Sequence, residues 1–251
     1  MKQSALQVAT TSLNAALYVA VGALWTLFPI TVFGVRFWPQ VFVPGAFAVL
    51  FGPWVGGVGA AVGIFVADLV YGHHDPLLSL LVGVTSNFAM FWLIGYLSNR
   101  RMTGAQRRVM ITAGAAIPVV LVAYGLFAFS GSSALTVLVL GVAMVALVIA
   151  PYLARSQWAD IQAASSIGQG IGSIIVGLGI VAYSSLFLMP QTLGLGSNPL
   201  PLVFAYGTAL WTYMSEIPFL LVIVPPIVRA ARAAFPSLRI GPAVASKKNN
   251  A

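Results

Sequence analysis

Phe37–Tyr71, FWPQVFVPGAFAVLFGPWVGGVGAAVGIFVADLVY, is apolar along nearly its whole length and is broken once, at Gly52-Pro53. The break leaves a short hydrophobic piece, Phe37–Phe51, and a longer one, Trp54–Tyr71, crowded with glycine. As an α-helix the first piece would reach about 22 Å at ~1.5 Å per residue, short of a ~30 Å hydrocarbon core. A short helix, a proline turn and a glycine-rich helix do not make a simple anchor. Irregular backbone at membrane depth survives only where protein buries it or water lines it. The hairpin is therefore expected to form one wall of a pocket.

The rest of the chain fits a membrane setting. Of its 251 residues, 60% are hydrophobic and 6% charged, which leaves too little polar surface to cover a soluble domain. Long apolar runs exclude a β-barrel, whose strands alternate over about ten residues. The fold class expected is an all-α polytopic membrane protein. A net charge of +8 could suggest nucleic acid, but no basic face is interleaved with aromatics, so no nucleic-acid partner is expected. The positive-inside rule accounts for the charge better. Cysteine is absent, which removes disulfides and thiolate chemistry. The first apolar run lacks an A-x-A cleavage site and reads as a mature helix.

Eight apolar runs are expected to cross the bilayer: Leu13–Phe33, Phe37–Phe51, Trp54–Tyr71, Leu77–Leu97, Val109–Phe129, Ala134–Leu153, Ile161–Leu188 and Leu200–Val228. With both termini cytoplasmic, Lys2, Arg100, Arg101, Arg107, Arg108, Arg155, Arg229, Arg232, Arg239, Lys247 and Lys248 lie inside, and of the 12 basic residues only Arg36 lies outside. The organisation is a single transmembrane domain, 1–235, followed by a basic tail, 236–251, expected to be disordered and suited to anionic lipid. The outer connections carry Arg36 and Trp38, then His73, His74 and Asp75, then Gln191 and Asn198.

Polar residues inside the spans mark candidate positions, each with a plainer structural reading. Asp68, a turn from Tyr71, is a costly intramembrane carboxylate that either meets ligand or pairs with Arg36 or a histidine. His73-His74-Asp75 lacks metal-ligand spacing, so ligand contact or a gate is favoured over a metal. Thr85-Ser86-Asn87 should face another helix, with Asn87 as a ligand-facing amide in the sharper reading. Gln162, Ser166, Gln169 and Ser173 recur at steps of four, three and four, one polar helical stripe facing the bundle interior. Thr208, Thr212, Ser215 and Glu216 follow the same logic beside Trp211. Glu216, the sole glutamate, is either protonated or hydrogen-bonded to the stripe, or it is a recognition group for a donor-rich or cationic ligand. Gly52, Gly56, Gly59 and Gly63 are small-xxx-small faces for close helix approach. Ala16 and Ala20 form a smooth face on the first helix, for packing or for docking another membrane protein.

Some activities are left without support. There is no G-x-x-x-x-G-K-[ST] for nucleotide, no G-x-S-x-G, no H-E-x-x-H, and no base separate from the adjacent histidines. The chain is expected not to be an enzyme, and to need no cofactor or metal.

LNAALYVAVG, then VFVPGAFAVLFGPWVGGVGAAVGIFVADLV, then EIPFLLVIVPPIVRAARAAF resemble the substrate-binding S-components of energy-coupling factor transporters. The most specific part is L-F-G-P-x-x-G followed by a glycine-rich helix and Asp-Leu. The resemblance implies a helical bundle in the cell membrane that captures a vitamin-like or metabolite ligand from outside. It implies as partners a transmembrane coupling subunit and ATPase subunits. The alanines Ala16 and Ala20 match the family's docking face, and the loops around Trp38 and His73-His74-Asp75 match those that close over ligand. Such proteins usually have six spans, so Val109–Leu153 reads as an inserted pair. The ligand is expected between the aromatics Trp38, Tyr71 and Trp211 and the polar Arg36, Asp68, His74, Asn87, Gln169 and Glu216. A self-sufficient proton-coupled carrier is the alternative, and an intramembrane enzyme or a scaffold a more distant one.

Overall fold

The computed structural model describes residues 3–128, 158–196 and 199–235, with 138, 141–142, 145–146 and 148–149 between them. The expected span Ala134–Leu153 lies largely outside the described residues. So do the tail 236–251, Asn198, Lys2 and Arg155.

The chain is an all-α multi-pass membrane protein. Among the described residues, six helical stretches are long and apolar enough to cross a membrane, and Pro39–Phe51 is a shorter apolar helix. In order the elements are α1 (Gln3–Leu24), a two-stranded hairpin of β1 (Thr31–Val32) and β2 (Val35–Arg36), α2 (Phe42–Phe51) and α3 (Pro53–Tyr71). They continue with α4 (Pro76–Asn99), α5 (Gly104–Ala128), α6 (Ala159–Leu186), α7 (Leu202–Val222) and α8 (Val224–Ala234). Glycine and valine make α3 a weak helix former in water. In lipid its backbone has no other partners, and helix is the state that satisfies them.

Among the departures from the sequence reading, two shape the cavity end of the bundle. The first span runs from Gln3 to Leu24 and not to Phe33. Pro29 cannot continue a helix and restricts the residue before it. Beyond it Phe33 (φ 50°) and Gly34 (φ 73°) both take positive φ, the requirement of a two-residue hairpin turn. The second is at Ser79–Val84, where α4 widens into a π-helical stretch that periodicity alone did not suggest.

Side-chain contacts give the helix directions. Asn14 donates to Val55 O at 2.9 Å, and Tyr71 O–H to Val19 O at 2.9 Å, so α1 and α3 run parallel with α2 reversed between them. Gly52, at φ 95°, ends α2 and lets Pro53 begin α3. Helix α4 returns antiparallel to α3: Ser79 meets Asp68 at one end, and Gly95 abuts Pro53 at the other. Helix α6 reverses α4, and Gln162 Nε2 donating to Leu221 O at 3.2 Å sets α7 antiparallel to α6. Helix α5 lies parallel to α6. Arg107 Nε meets Asp160 Oδ1 at 2.6 Å near their first residues, and Ser166 Oγ donates to Gly114 O at 2.6 Å further along.

One end of the bundle therefore carries Gly52-Pro53, Arg100, Arg101, Arg107 and Arg108, with Arg229 and Arg232 on α8 following from α7. The other end carries the hairpin with Arg36 and the turn Gly72–Asp75. Apolar burial contributes little to helix association in lipid, where close packing does more. A Cβ on Gly56 would lie 2.7 Å from Ala48 Cα, and one on Gly95 2.7 Å from Pro53 Cα, so α2, α3 and α4 touch backbone to backbone.

Candidate functional site

At the hairpin end, a cavity of about 150 Å³ opens between α1, α3, α4, α6 and α7. A void of roughly that size accommodates a benzene ring, so the space suits a ring-sized group. The hairpin roofs it, pinned to α7 by Trp211 Nε1 donating to Val35 O at 3.0 Å and Thr208 Oγ1 to Phe33 O at 3.3 Å. Thr192 and Leu193, in the short helical turn Gln191–Leu193, form another edge.

The floor is a polar layer across α6 and α7. Gln169 Nε2 donates to Glu216 Oε2 at 2.7 Å and approaches Thr212 O at 3.3 Å. Gln162, Ser166, Gln169 and Ser173 are all buried, as are Thr208, Thr212, Ser215 and Glu216, so both stripes face the interior. Beside them runs a chain of hydrogen bonds: Trp38 Nε1 to Tyr18 OH at 3.0 Å, Tyr18 O–H to Asn87 Oδ1 at 2.9 Å, and Asn87 Nδ2 to Gly83 O at 2.9 Å. The π-helical stretch of α4 offers its carbonyls to the residues after it, as π-bulges commonly do at working sites. Ser86 bonds Gly83 O, and Thr85 bonds Leu81 O. Thr85 is exposed, which corrects the expectation that it faces a helix: its hydroxyl folds back on its own backbone.

A second polar cluster sits nearer the mouth. Ser79 Oγ donates to Asp68 Oδ2 at 2.6 Å, and His73 Nε2 lies 3.4 Å from the same oxygen. The Asp75 N–H donates to His73 Nδ1 at 3.1 Å, so in that tautomer the ring proton sits on Nε2, toward Asp68. Asp75 caps α4, accepting from Leu77 N–H at 2.9 Å and Leu78 N–H at 3.1 Å, and takes Tyr183 O–H at 2.9 Å. Desolvation opposes its ionisation, but those hydrogen bonds and the nearby His73 outweigh it and hold the carboxyl below its ordinary value.

Of the candidate residues, Arg36, Trp38, Asp68, Asn87, Gln169 and Glu216 all line this one cavity. Tyr71, His74 and Trp211 do not. Tyr71 stands behind Trp38, ring centroids 5.9 Å apart. His74, at φ 59°, turns away and its Nδ1 lies 2.8 Å from Leu69 O, so His73 takes the place expected for it. Trp211 serves the hairpin. Asp68 takes the histidine partner and not Arg36. Tyr18 was missed in sequence. Its signal is Asn14 four residues earlier, which marks the buried face of α1. Ala16 and Ala20 are exposed on the opposite side of that helix. Among the described residues no group of three metal-ligating side chains exists.

No protein-family model, curated protein or solved structure matches this chain.

Proposed function

We propose that this chain is the substrate-capture subunit of an uptake transporter in the cell membrane, resembling the S-components of energy-coupling factor transporters. It takes a small vitamin-like or metabolite ligand from outside and is energised by a separate coupling subunit with ATPases. One observation carries the reading: a ring-sized cavity with a buried polar floor lies at the end remote from the arginine cluster. On the positive-inside rule that end faces outward.

Other features agree with it. Helices α5 and α6 both start at the arginine end, so the connection between them begins at one end of the bundle and finishes at the other. That favours eight crossings with both termini inside. The exposed alanines Ala16 and Ala20 leave a smooth surface on α1 for the coupling subunit. A proton-coupled carrier is the second reading, favoured by Glu216 lying buried with no cationic partner among the described residues.

Native mass spectrometry of the detergent-purified protein, without nucleotide or gradient, is the test. The expected result is a copurified small molecule, and a coupling subunit in pull-downs from the source membrane. A protein that arrives empty, binds nothing from a vitamin panel and brings down no coupling subunit would overturn the proposal. Uptake by the chain alone in vesicles, abolished in Glu216→Gln, would move it to the carrier.

A further inference from the structure

The cavity's hydrogen-bonding groups divide by depth. On the floor the side-chain donors are already engaged: Tyr18 O–H on Asn87, Asn87 Nδ2 and Ser86 O–H on Gly83 O, and Gln169 Nε2 on Glu216. What the floor leaves over, apart from the second N–H of Asn87, is acceptors. Gln169 is 0% exposed, and its Oε1 has no hydrogen-bond partner among the described residues. Glu216, 5% exposed, has no cation within ion-pair distance among them. Buried acceptors and carboxylates left in this state are expensive unless something else satisfies them.

The mouth is the reverse. Arg36 and Thr31, both on the hairpin, line the cavity, and among the described residues neither side chain has a hydrogen-bond or ion-pair partner. Asp68, nearer the mouth, has its Oδ2 engaged by Ser79 and His73. A guanidinium free in this way suits a carboxylate or phosphate.

We infer that the site, on the capture reading above, takes a ring-sized ligand of fixed polarity. A cationic or donor-rich nitrogen group sits inward on Glu216, and an anionic group sits outward on Arg36 and Thr31. The polarity follows from which groups the fold leaves unengaged. It sets the ligand class as a small zwitterion or amino-bearing ring acid.

The test uses the full chain in detergent and three probes: para-(aminomethyl)benzoate, benzylamine and benzoate, titrated into the millimolar range. Para-(aminomethyl)benzoate is expected to bind tightest. Glu216→Gln should weaken it about tenfold, the worth of one charge-assisted hydrogen bond, and leave benzoate unchanged. Arg36→Gln should weaken benzoate by about the same factor and leave benzylamine unchanged. Each variant's retained probe shows that it is folded. Benzoate binding as well as the bifunctional probe, the two variants exchanging their effects, or no probe binding at all would overturn the inference. The capture reading fails by a different result, an empty protein with no coupling subunit. A copurified ligand anionic at both ends would keep capture and end the polarity.

Discussion

Gln169 donates from Nε2 to Glu216 Oε2 at 2.7 Å, joining α6 to α7 at the floor of the cavity where both side chains are buried. In lipid the tails are as apolar as leucine, so a polar contact of this kind helps to hold two helices in one register. It also fixes the direction in which the carboxylate presents its remaining lone pairs.

Removing one side of that contact should be worse than removing both. Gln169→Leu leaves Glu216 buried without its donor and is expected to destabilise by about 1–3 kcal/mol. Adding Glu216→Leu should restore most of the loss, because two apolar side chains of similar volume leave nothing unsatisfied. Thermal unfolding of the three proteins in detergent reads this as a non-additive cycle. Simple additivity would mean that the pair is not coupled.

Close approach at the glycine seams predicts a position-specific response. Gly95→Ala sets a methyl 2.7 Å from Pro53 Cα and 3.0 Å from Ala48 O, and neither is a flexible side chain that can swing away. It is expected to cost about 1–3 kcal/mol. Gly104→Ala, with nothing within 4 Å of its Cβ, should stay within about 0.5 kcal/mol of the parent. Equal melting temperatures for the two variants would show that α3 and α4 do not pack this tightly.

Acid should loosen the turn that carries His73. The Asp75 carboxyl is held below its ordinary value of 3.8, so its ionised form is favoured in the folded state. Its stabilising contribution is complete above the ordinary carboxyl range, and it disappears as pH falls through the lowered folded value. Asp75→Asn keeps a capping side chain and removes the charge. Unfolding followed from about pH 5 to about pH 2 should therefore be less acid-sensitive in the variant. Identical acid profiles would exclude Asp75 as a contributor.

How much of this was legible depends on the range of the interaction that decides each feature. Gly52-Pro53 could be read directly, because proline lacks the N–H that a continuing helix needs. The Gln162 to Ser173 stripe could be read because helical period alone places its members on one face. For Tyr18, Asn14 signals only a place on the buried face of α1: its hydroxyl acquires its meaning from Trp38 and Asn87, which arrive from distant parts of the chain. The choice of His73 over His74 turned on one positive φ in a turn set by Asp68 and Asp75. Arg107 and Asp160 meet across 53 residues, and nothing local announces the pair. Periods and breakers are local, whereas cavity membership depends on which helices become neighbours.

The orientation can be tested with two introduced thiols, since the chain has no cysteine of its own. Thr31→Cys puts a thiol on the exposed hairpin, at the end that holds Arg36. Gly104→Cys puts one at the exposed start of α5, between Arg101 and Arg107. If the arginine end is retained on the cytoplasmic side by the charge bias that orients membrane proteins, a membrane-impermeant maleimide should label Thr31→Cys on intact cells. It should reach Gly104→Cys only after permeabilisation. The reverse pattern would turn the cavity toward the cytoplasm, and a subunit that captures ligand from outside could not work that way.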